Sequence, residues 1–176
     1  MRSQSPSFLG AYMSVVIISA SSGSNLGLAK SFQDKFVEYN VESTIVDLAE
    51  MNLPIYSTQA EEKIKNPLHQ DLLELLDSST KFVFVAPEYN GATPPSFQNF
   101  LAWASRSSKE WRRYFNGKQA AVATHSGGGG AHVLMHMRMQ LSFIGMNVLG
   151  RQILTSYQKP LNPESLQEVC QQLVSQ

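Results

Sequence analysis

Short, unbroken apolar runs recur along this chain. The run from Phe82 to Ala86 contains no polar residue, and the run from Val15 to Ile18 repeats the pattern. Runs this short and this rich in valine, isoleucine and phenylalanine are typical of strands buried on both faces. The five predicted strands are residues 15–18, 43–48, 81–86, 119–124 and 146–148, with residues 150–155 as a continuation of the fifth.

Helical patterns fill the intervals between these strands. Apolar residues from Leu28 to Phe36 mark one helix face after the first strand, and Ser24 or Asn25 is expected as the N-cap. Pro67 is expected to break the start of the second helix. The later helical segments are predicted over residues 61–76, 96–105, 131–144 and from residue 163 onwards, with a short turn over 111–115.

The order of these elements is a strand–helix unit repeated five times. Such alternation predicts an α/β fold in which helices cover both faces of a parallel sheet. The length of 176 residues fits one domain, which we place at residues 13–176. Residues 1–12 lack the long apolar centre of a signal peptide and are interpreted as a flexible N-terminal leader.

Composition excludes several classes of function. The net charge is zero, from 14 basic and 14 acidic side chains, so nothing indicates a nucleic-acid partner or an anionic membrane surface. No apolar stretch is long enough to span a bilayer. The single cysteine, Cys170, excludes an internal disulfide, is expected in the core and favours a cytoplasmic location.

Three unusual loops follow the first, third and fourth predicted strands, over residues 19–25, 87–91 and 126–130. In a five-stranded doubly wound sheet ordered 2-1-3-4-5, these strands are neighbours and their carboxyl ends share one edge. We therefore expect the three loops to converge on one crevice, which is where open α/β sheets bind their ligands.

The first loop suits a phosphate group. Ser19, Ser21, Ser24 and Asn25 offer hydroxyl and amide donors, and the free N–H groups of a helix start follow them. An ordinary serine–glycine turn explains the same residues equally well. The glycines of residues 127–130 could likewise form a flexible loop or pass closely over a flat ring.

The segment APEYNGATPPSFQNFLAWAS, residues 86–105, resembles the signature of the NADPH-dependent FMN reductase family. The usual pattern is PEYNG, a proline a few residues on, then LKN and DW, and Asn99 and Trp103 stand at the matching offsets. The resemblance spans residues 13 to about 154. It implies a flavodoxin-like three-layer sandwich related to azobenzene, quinone and chromate reductases.

The resemblance also implies the cofactors, FMN and NADPH, and the residues that contact them. The first loop would hold the FMN phosphate, the third would line the isoalloxazine, and the fourth would border the other edge of that ring. The implied cofactor-binding residues are Ser19, Ser21, Ser24, Asn25, Pro87, Glu88, Tyr89, Asn90, Gly91, Ser126, Gly127 and Gly128.

With FMN bound, no protein nucleophile or metal ion is needed, so no catalytic residue is predicted. We expect a ping-pong scheme in which NAD(P)H reduces the flavin and a second acceptor takes the electrons. Flavins, quinones, azo compounds and metal oxyanions are all compatible with the role of that second acceptor. Tyr89 and Asn90 are candidates to contact the nicotinamide or the acceptor. Glu88 is interpreted as an acid, a flavin contact or a subunit contact.

Family members are usually dimers or tetramers, so a homodimer or homotetramer is expected.

The chain departs from the family pattern at three places. The first loop has Ser21 and Ser22 where an arginine usually stands, which predicts weaker FMN binding. The lysine and aspartate of the signature are Gln98 and Ala102. No arginine follows the fourth loop, where His132 stands instead.

Two alternatives stay open. A flavodoxin-type electron carrier would lack NADPH activity, but such carriers are usually strongly acidic. A flavin-free binding module is compatible with the missing arginine.

His132 and His136 have the spacing of a metal-binding pair, yet no further ligand is evident, so a surface or interface pair is preferred and no metal site is predicted. Trp103 and Trp111 are expected to pack in the core or at a subunit interface.

Overall fold

A computed structural model describes residues 14–175, so the leader expected over residues 1–12 lies outside the described residues. The strands are β1 Ser14–Ser19, β2 Glu42–Asp47, β3 Lys81–Val85, β4 Gln119–His125, β5 Asn147–Val148 and β6 Ile153–Thr155. The helices are α1 Ser24–Glu38, α2 Thr58–Lys63, α3 Gln70–Ser78, α4 Pro95–Ala104, α5 Ala131–Phe143 and α6 Pro163–Ser175, with a 3₁₀ helix at Trp111–Tyr114.

The strands form one parallel sheet in the order β2-β1-β3-β4-β5, which confirms the predicted topology. The fifth strand differs from the prediction. Its expected continuation over residues 150–155 is not continuous with β5 but forms a separate strand, β6. β5 and β6 each pair separately with β4, Asn147 beside Gln119 and Ile153 beside Ala123. The intervening backbone leaves the sheet, and Arg138 donates a hydrogen bond to the Gly150 carbonyl there.

Alternate residues of the central strands face opposite layers, so the sheet is buried on both sides. Phe82 and Phe84 point toward α3, α4 and α5, whereas Val83 and Val85 point toward α1 and α6. All four are fully buried. Burying a side chain of this size contributes about 1.5–3 kcal/mol, which explains why unbroken apolar runs mark these strands.

The helical segment predicted over residues 61–76 is two helices, α2 and α3. Pro67 lies between them, as expected, since the residue before a proline is excluded from helical backbone angles. Asn66 fills the gap: its amide donates to the Trp103 carbonyl, and its side-chain oxygen accepts from the Leu68 N–H. Trp103 is buried, which confirms its predicted packing role.

Cys170 lies in the core on α6, as expected, and burial raises the pKa of its thiol to about 12. Within residues 14–175, none of the helices combines the length and the apolar character needed to cross a membrane.

Candidate cofactor site

The third loop is a tight hairpin. The N–H of Tyr89 donates to the Ala92 carbonyl at 2.9 Å, and the N–H of Ala92 donates back to Tyr89 at 3.0 Å. Between them Asn90 and Gly91 have φ of 51° and 76°. Positive φ at both central residues is the type I′ turn, which Asn-Gly favours because these two residues tolerate it best. The turn leaves the Tyr89 side chain 52% exposed at the strand end.

The first loop leads into an uncapped helix. The N-cap of α1 is Gly23, not Ser24 or Asn25 as predicted, and no side chain caps the helix. Glycine reaches the N-cap angles easily, which moves Ser24 to the first helical position. The first turn also contains no acidic residue. Its free N–H groups and the helix dipole therefore remain available to an anion.

Two of the predicted phosphate residues are engaged within the protein. The buried Ser19 hydroxyl donates to the Ser21 carbonyl at 2.9 Å. The Asn25 side chain donates to the His125 carbonyl at 3.0 Å and accepts from the His125 N–H at 2.7 Å. Both side chains shape the loop in this structure. Ser21 is half-buried and Ser24 exposed, so their hydroxyls remain closer to solvent.

Ser22, next to these residues, donates to a carboxylate oxygen of Asp47 at 2.9 Å. Asp47 is the last residue of β2, and its other oxygen accepts from the Ala49 N–H. The loop that lacks an arginine therefore has an acidic neighbour. An anion at α1 would be balanced by the helix dipole and neutral donors alone, with Asp47 opposing it.

The fourth loop turns sharply into α5. The buried Ser126 hydroxyl accepts from the Gly128 N–H at 3.1 Å, while Gly127 and Gly128 are exposed. Gly130 is the N-cap of α5 with φ of 70°. A Cβ at Gly130 would lie 3.1 Å from Thr124 and 3.2 Å from Ser126, so any other residue there would be crowded and strained.

Glu88 joins the third loop to the fourth. One oxygen of its carboxylate accepts from the Val133 N–H, in the first turn of α5, at 3.3 Å. A Cβ built on Gly128 would lie 3.7 Å from the other oxygen. A carboxylate at a helix N-terminus is stabilised by the helix dipole. This geometry supports a positioning role for Glu88.

The three loops converge at one edge of the sheet, as the strand order predicts. Asn25 ties α1 to the end of β4, and Glu88 ties the third loop to α5. Ser96, in the first turn of α4, donates to the Ala20 carbonyl at 2.7 Å and anchors α4 beside the first loop. The predicted crevice therefore has a cross-linked polar frame.

A fourth segment at this edge was not predicted. Tyr157, 83% exposed, follows β6, and its ring packs edge-on against His125 with centroids 5.1 Å apart. A Cβ on Gly127 would lie 3.9 Å from the Tyr157 ring. The signal was present in the strand continuation predicted over residues 150–155, because a segment paired with β4 must end at the same edge of the sheet.

His125 is held in one orientation. The Thr155 hydroxyl donates to the Thr124 carbonyl. The hydroxyl oxygen of Thr155 also lies 3.1 Å from His125 Nδ1, and it accepts in that second contact because its one hydrogen is already used. With the hydroxyl donating in this direction, His125 Nδ1 is the donor of the pair. His125 Nε2 is buried with no hydrogen-bond partner.

The two histidines with metal-binding spacing serve other contacts. His136 Nδ1 accepts from the Thr93 N–H at 3.1 Å, and His132 lies beside the hairpin near Gly91. Within residues 14–175, no group of three His, Cys, Asp or Glu side chains is arranged to hold a metal ion. The largest pKa shift of a lysine lies at the opposite edge of the sheet, where burial lowers the pKa of Lys118 to about 8.

The donor set fits FMN at this edge of the sheet. A phosphate dianion suits the uncapped N-terminus of α1 with the Ser21 and Ser24 hydroxyls nearby. A flat ring suits the exposed glycines of the fourth loop and the exposed Tyr89.

The sheet order and the loops gathered at one edge define the flavodoxin-like class of fold. A solved structure of FerB, a flavoenzyme NAD(P)H:(acceptor) oxidoreductase from Paracoccus denitrificans, is similar with a TM-score of 0.74 and 20% identity, over 93% of this chain and 96% of that one. A flavodoxin from the domain Archaea has a TM-score of 0.61 and 15% identity, over 92% and 93% of the two chains. The flavodoxin-like fold is confirmed.

Residues 13–159 match the NADPH-dependent FMN reductase family, and the chain belongs to that family. It is also similar to the NAD(P)H-dependent FMN reductase LOT6 of Saccharomyces cerevisiae, with 26% identity over 128 residues, which are 66% of this chain and 62% of the yeast protein. The family resemblance read from the PEYNG segment is confirmed. The protein is an oxidoreductase that uses FMN and NAD(P)H.

Proposed function

We propose that this protein takes hydride from NAD(P)H and passes electrons to a second small acceptor by a ping-pong mechanism, with both substrates using the crevice at the carboxyl edge of the sheet in turn. The observation that carries the proposal is the Asn25–His125 pairing, which holds the uncapped end of α1 beside the fourth loop. One crevice would thus present an anion site and a ring site together.

The protein would bind the phosphate of FMN through the N–H groups of the first turn of α1 and the Ser21 and Ser24 hydroxyls. Ser19 and Asn25 would act indirectly, by fixing the loop. Bound FMN would supply the hydride acceptor and electron donor of the two half-reactions.

The hairpin of residues 87–91 would line one side of the isoalloxazine through backbone groups, and Ser126, Gly127 and Gly128 would border it on the other. Glu88 would keep the third loop against α5 rather than transfer a proton, because its carboxylate already accepts from Val133. Tyr89 and Asn90, exposed at the turn, would contact the nicotinamide or the acceptor. Open access to this turn suits flat or small acceptors such as flavins, quinones, azo compounds or metal oxyanions.

A visible spectrum of the purified protein before and after addition of FMN tests the proposal, followed by anaerobic addition of NADPH. Flavin bands at about 370 and 450 nm should appear, and the second should bleach on NADPH. Parallel lines in double-reciprocal plots should follow for NADPH and a quinone. Bound flavin that NADPH leaves oxidised would instead favour an electron carrier, and absence of flavin binding would favour a binding module.

We also infer that the protein forms a homodimer or homotetramer through the exposed face of α4 and α5. Met135, Met139 and Phe143 lie four residues apart along α5 and are largely exposed. Met139 and Phe143 also form one wall of a groove of about 530 Å³, whose other lining residues include Trp111 and Ile144. A ridge and a groove on one face allow two identical copies to pack around a two-fold axis. The cytoplasmic location expected from the single cysteine stays a prediction.

A further inference from the structure

Thr93 connects the Tyr89–Ala92 hairpin to helix α4. It follows the hairpin residue Ala92 directly and precedes Pro94 and Pro95, neither of which has an N–H group. The N–H of Thr93 is therefore the last backbone donor before Ser96. Thr93 is only 6% exposed, so this N–H needs a partner within the protein.

His136 on α5 provides that partner. Its Nδ1 lies 3.1 Å from the Thr93 nitrogen. Because a backbone N–H can only donate, Nδ1 accepts and carries no hydrogen in this pairing. The backbone at the end of the hairpin is thereby joined directly to α5.

Gln98 holds the same residue from the other side. Its Nε2 donates to the Thr93 hydroxyl oxygen at 2.6 Å, and its Oε1 accepts from Gln140 Nε2 at 2.8 Å. The lysine usual at this place in the family signature could donate to Thr93 but could not accept from Gln140, since an ammonium group has no acceptor. Glutamine at 98 therefore joins α4, α5 and Thr93 in one network.

We propose that His136 is a positioning residue for the isoalloxazine: with Gln98 it fixes Thr93 and thereby sets the orientation of the Tyr89–Ala92 hairpin against the flavin ring. The inference rests on the proposed function, because it assumes that this hairpin lines the ring. It assigns His136 to ring recognition and leaves phosphate recognition to the first loop.

Binding of FMN and of lumiflavin, the ring without ribityl phosphate, separates these two roles. Purified full-length wild type, His136→Leu and His136→Asn are titrated with each ligand by fluorescence. His136→Leu should raise the Kd of both ligands by about tenfold, the size expected when one buried hydrogen bond is lost. His136→Asn should largely restore both, because its side-chain oxygen can accept where Nδ1 did.

Two further variants fix the interpretation. Ser24→Ala should weaken FMN and leave lumiflavin unchanged, the opposite selectivity. His69→Leu, at an exposed histidine before α3, should leave both ligands unchanged. If His136→Leu does not fold, Thr93→Val tests the Gln98 half of the inference, since it keeps the N–H and removes the hydroxyl that Gln98 holds, and unchanged Kd values in that variant would overturn the inference. Thr93→Val should weaken both ligands by a smaller, equal factor.

Unchanged Kd values for lumiflavin in folded His136→Leu would overturn the inference, as would equal losses in His136→Leu and His136→Asn. A loss for FMN alone would also overturn it. These outcomes leave the proposed function intact when the wild-type protein binds FMN and NADPH bleaches the absorbance band of the bound flavin. Wild type that binds neither flavin would overturn both proposals together.

Discussion

The side chain of Asn25 forms a matched pair of hydrogen bonds with the backbone of His125, a residue 100 positions later in the chain. The amide of Asn25 both donates and accepts, so it completes the end of β4 as another strand would. This pairing brings the first loop and the fourth loop to the same crevice. It also engages the side-chain oxygen of Asn25 and one of its two amide hydrogens.

Replacing Asn25 by leucine should therefore lower both stability and FMN affinity. The N–H and carbonyl of His125 would lose their partners, at a cost of about 2–3 kcal/mol in the free energy of unfolding. Urea denaturation measures this directly. Asn147→Leu is the matched control, because Asn147 also donates to a carbonyl, that of Gly117, but is exposed. Equal losses in the two variants would contradict the prediction.

Restoring an arginine to the first loop should tighten FMN binding. In Ser22→Arg, the new guanidinium can reach the phosphate and also neutralise Asp47, which Ser22 contacts now. We expect the Kd for FMN to fall by about tenfold at low salt, the size of one charge-assisted contact, and the gain to shrink as salt is added. Ser22→Gln serves as the uncharged control, and riboflavin should show no gain. A gain that is equal for riboflavin and FMN would argue against phosphate binding at this loop.

Gly130→Ala should destabilise the protein, because Gly130 has φ of 70° and its Cβ would crowd Thr124 and Ser126. The expected loss is about 1–3 kcal/mol. Gly129→Ala should be near neutral, since a Cβ there meets nothing within 4 Å. The measurement is the melting temperature of each variant. Equal melting temperatures would show that α5 can begin without the positive φ at Gly130.

A charge on the ridge of α5 should disrupt self-association. Light scattering of Phe143→Glu should give the monomer mass where wild type gives a dimer or tetramer, because a buried, unpaired carboxylate is costly at an interface. Val37→Glu is the control: Val37 is similarly exposed, 65% against 77% for Phe143, but lies on α1. A monomeric wild type would refute the proposed interface.

The contribution of Lys118 to stability should become more favourable as the pH rises through the range in which it loses its proton. Lys118 donates to the Leu76 and Asp77 carbonyls at the end of α3, and burial lowers its pKa from 10.5 to about 8. Between these values the unfolded chain binds more protons than the folded one, so raising the pH favours folding.

The test compares wild type with Lys118→Met between pH 7.5 and 10. Across that window the stability of wild type relative to the variant should grow by about 2 kcal/mol, the larger part of the energy of a shift of this size. Lys30→Met, at an exposed lysine, is measured in parallel as the surface control. A pH-independent difference for Lys118→Met would mean that Lys118 stays charged in the folded protein.

The sequence by itself determined the first four strands, the parallel order of the sheet and the PEYNG turn. Each depends on local chemistry: Phe82 to Ala86 is apolar on both faces, and Asn90 and Gly91 accept the positive φ of a type I′ turn. It also indicated which loops meet, since strand order fixes which carboxyl ends are neighbours.

Only the tertiary structure decided which polar groups in those loops remain available. Asn25 is paired with His125, Glu88 with Val133, and Thr93 with His136, in each case across more than forty residues. Spacing along a chain reveals the loops that could bind a ligand. It does not reveal hydrogen-bond partners, because a donor is satisfied by whichever acceptor the folded chain brings within reach.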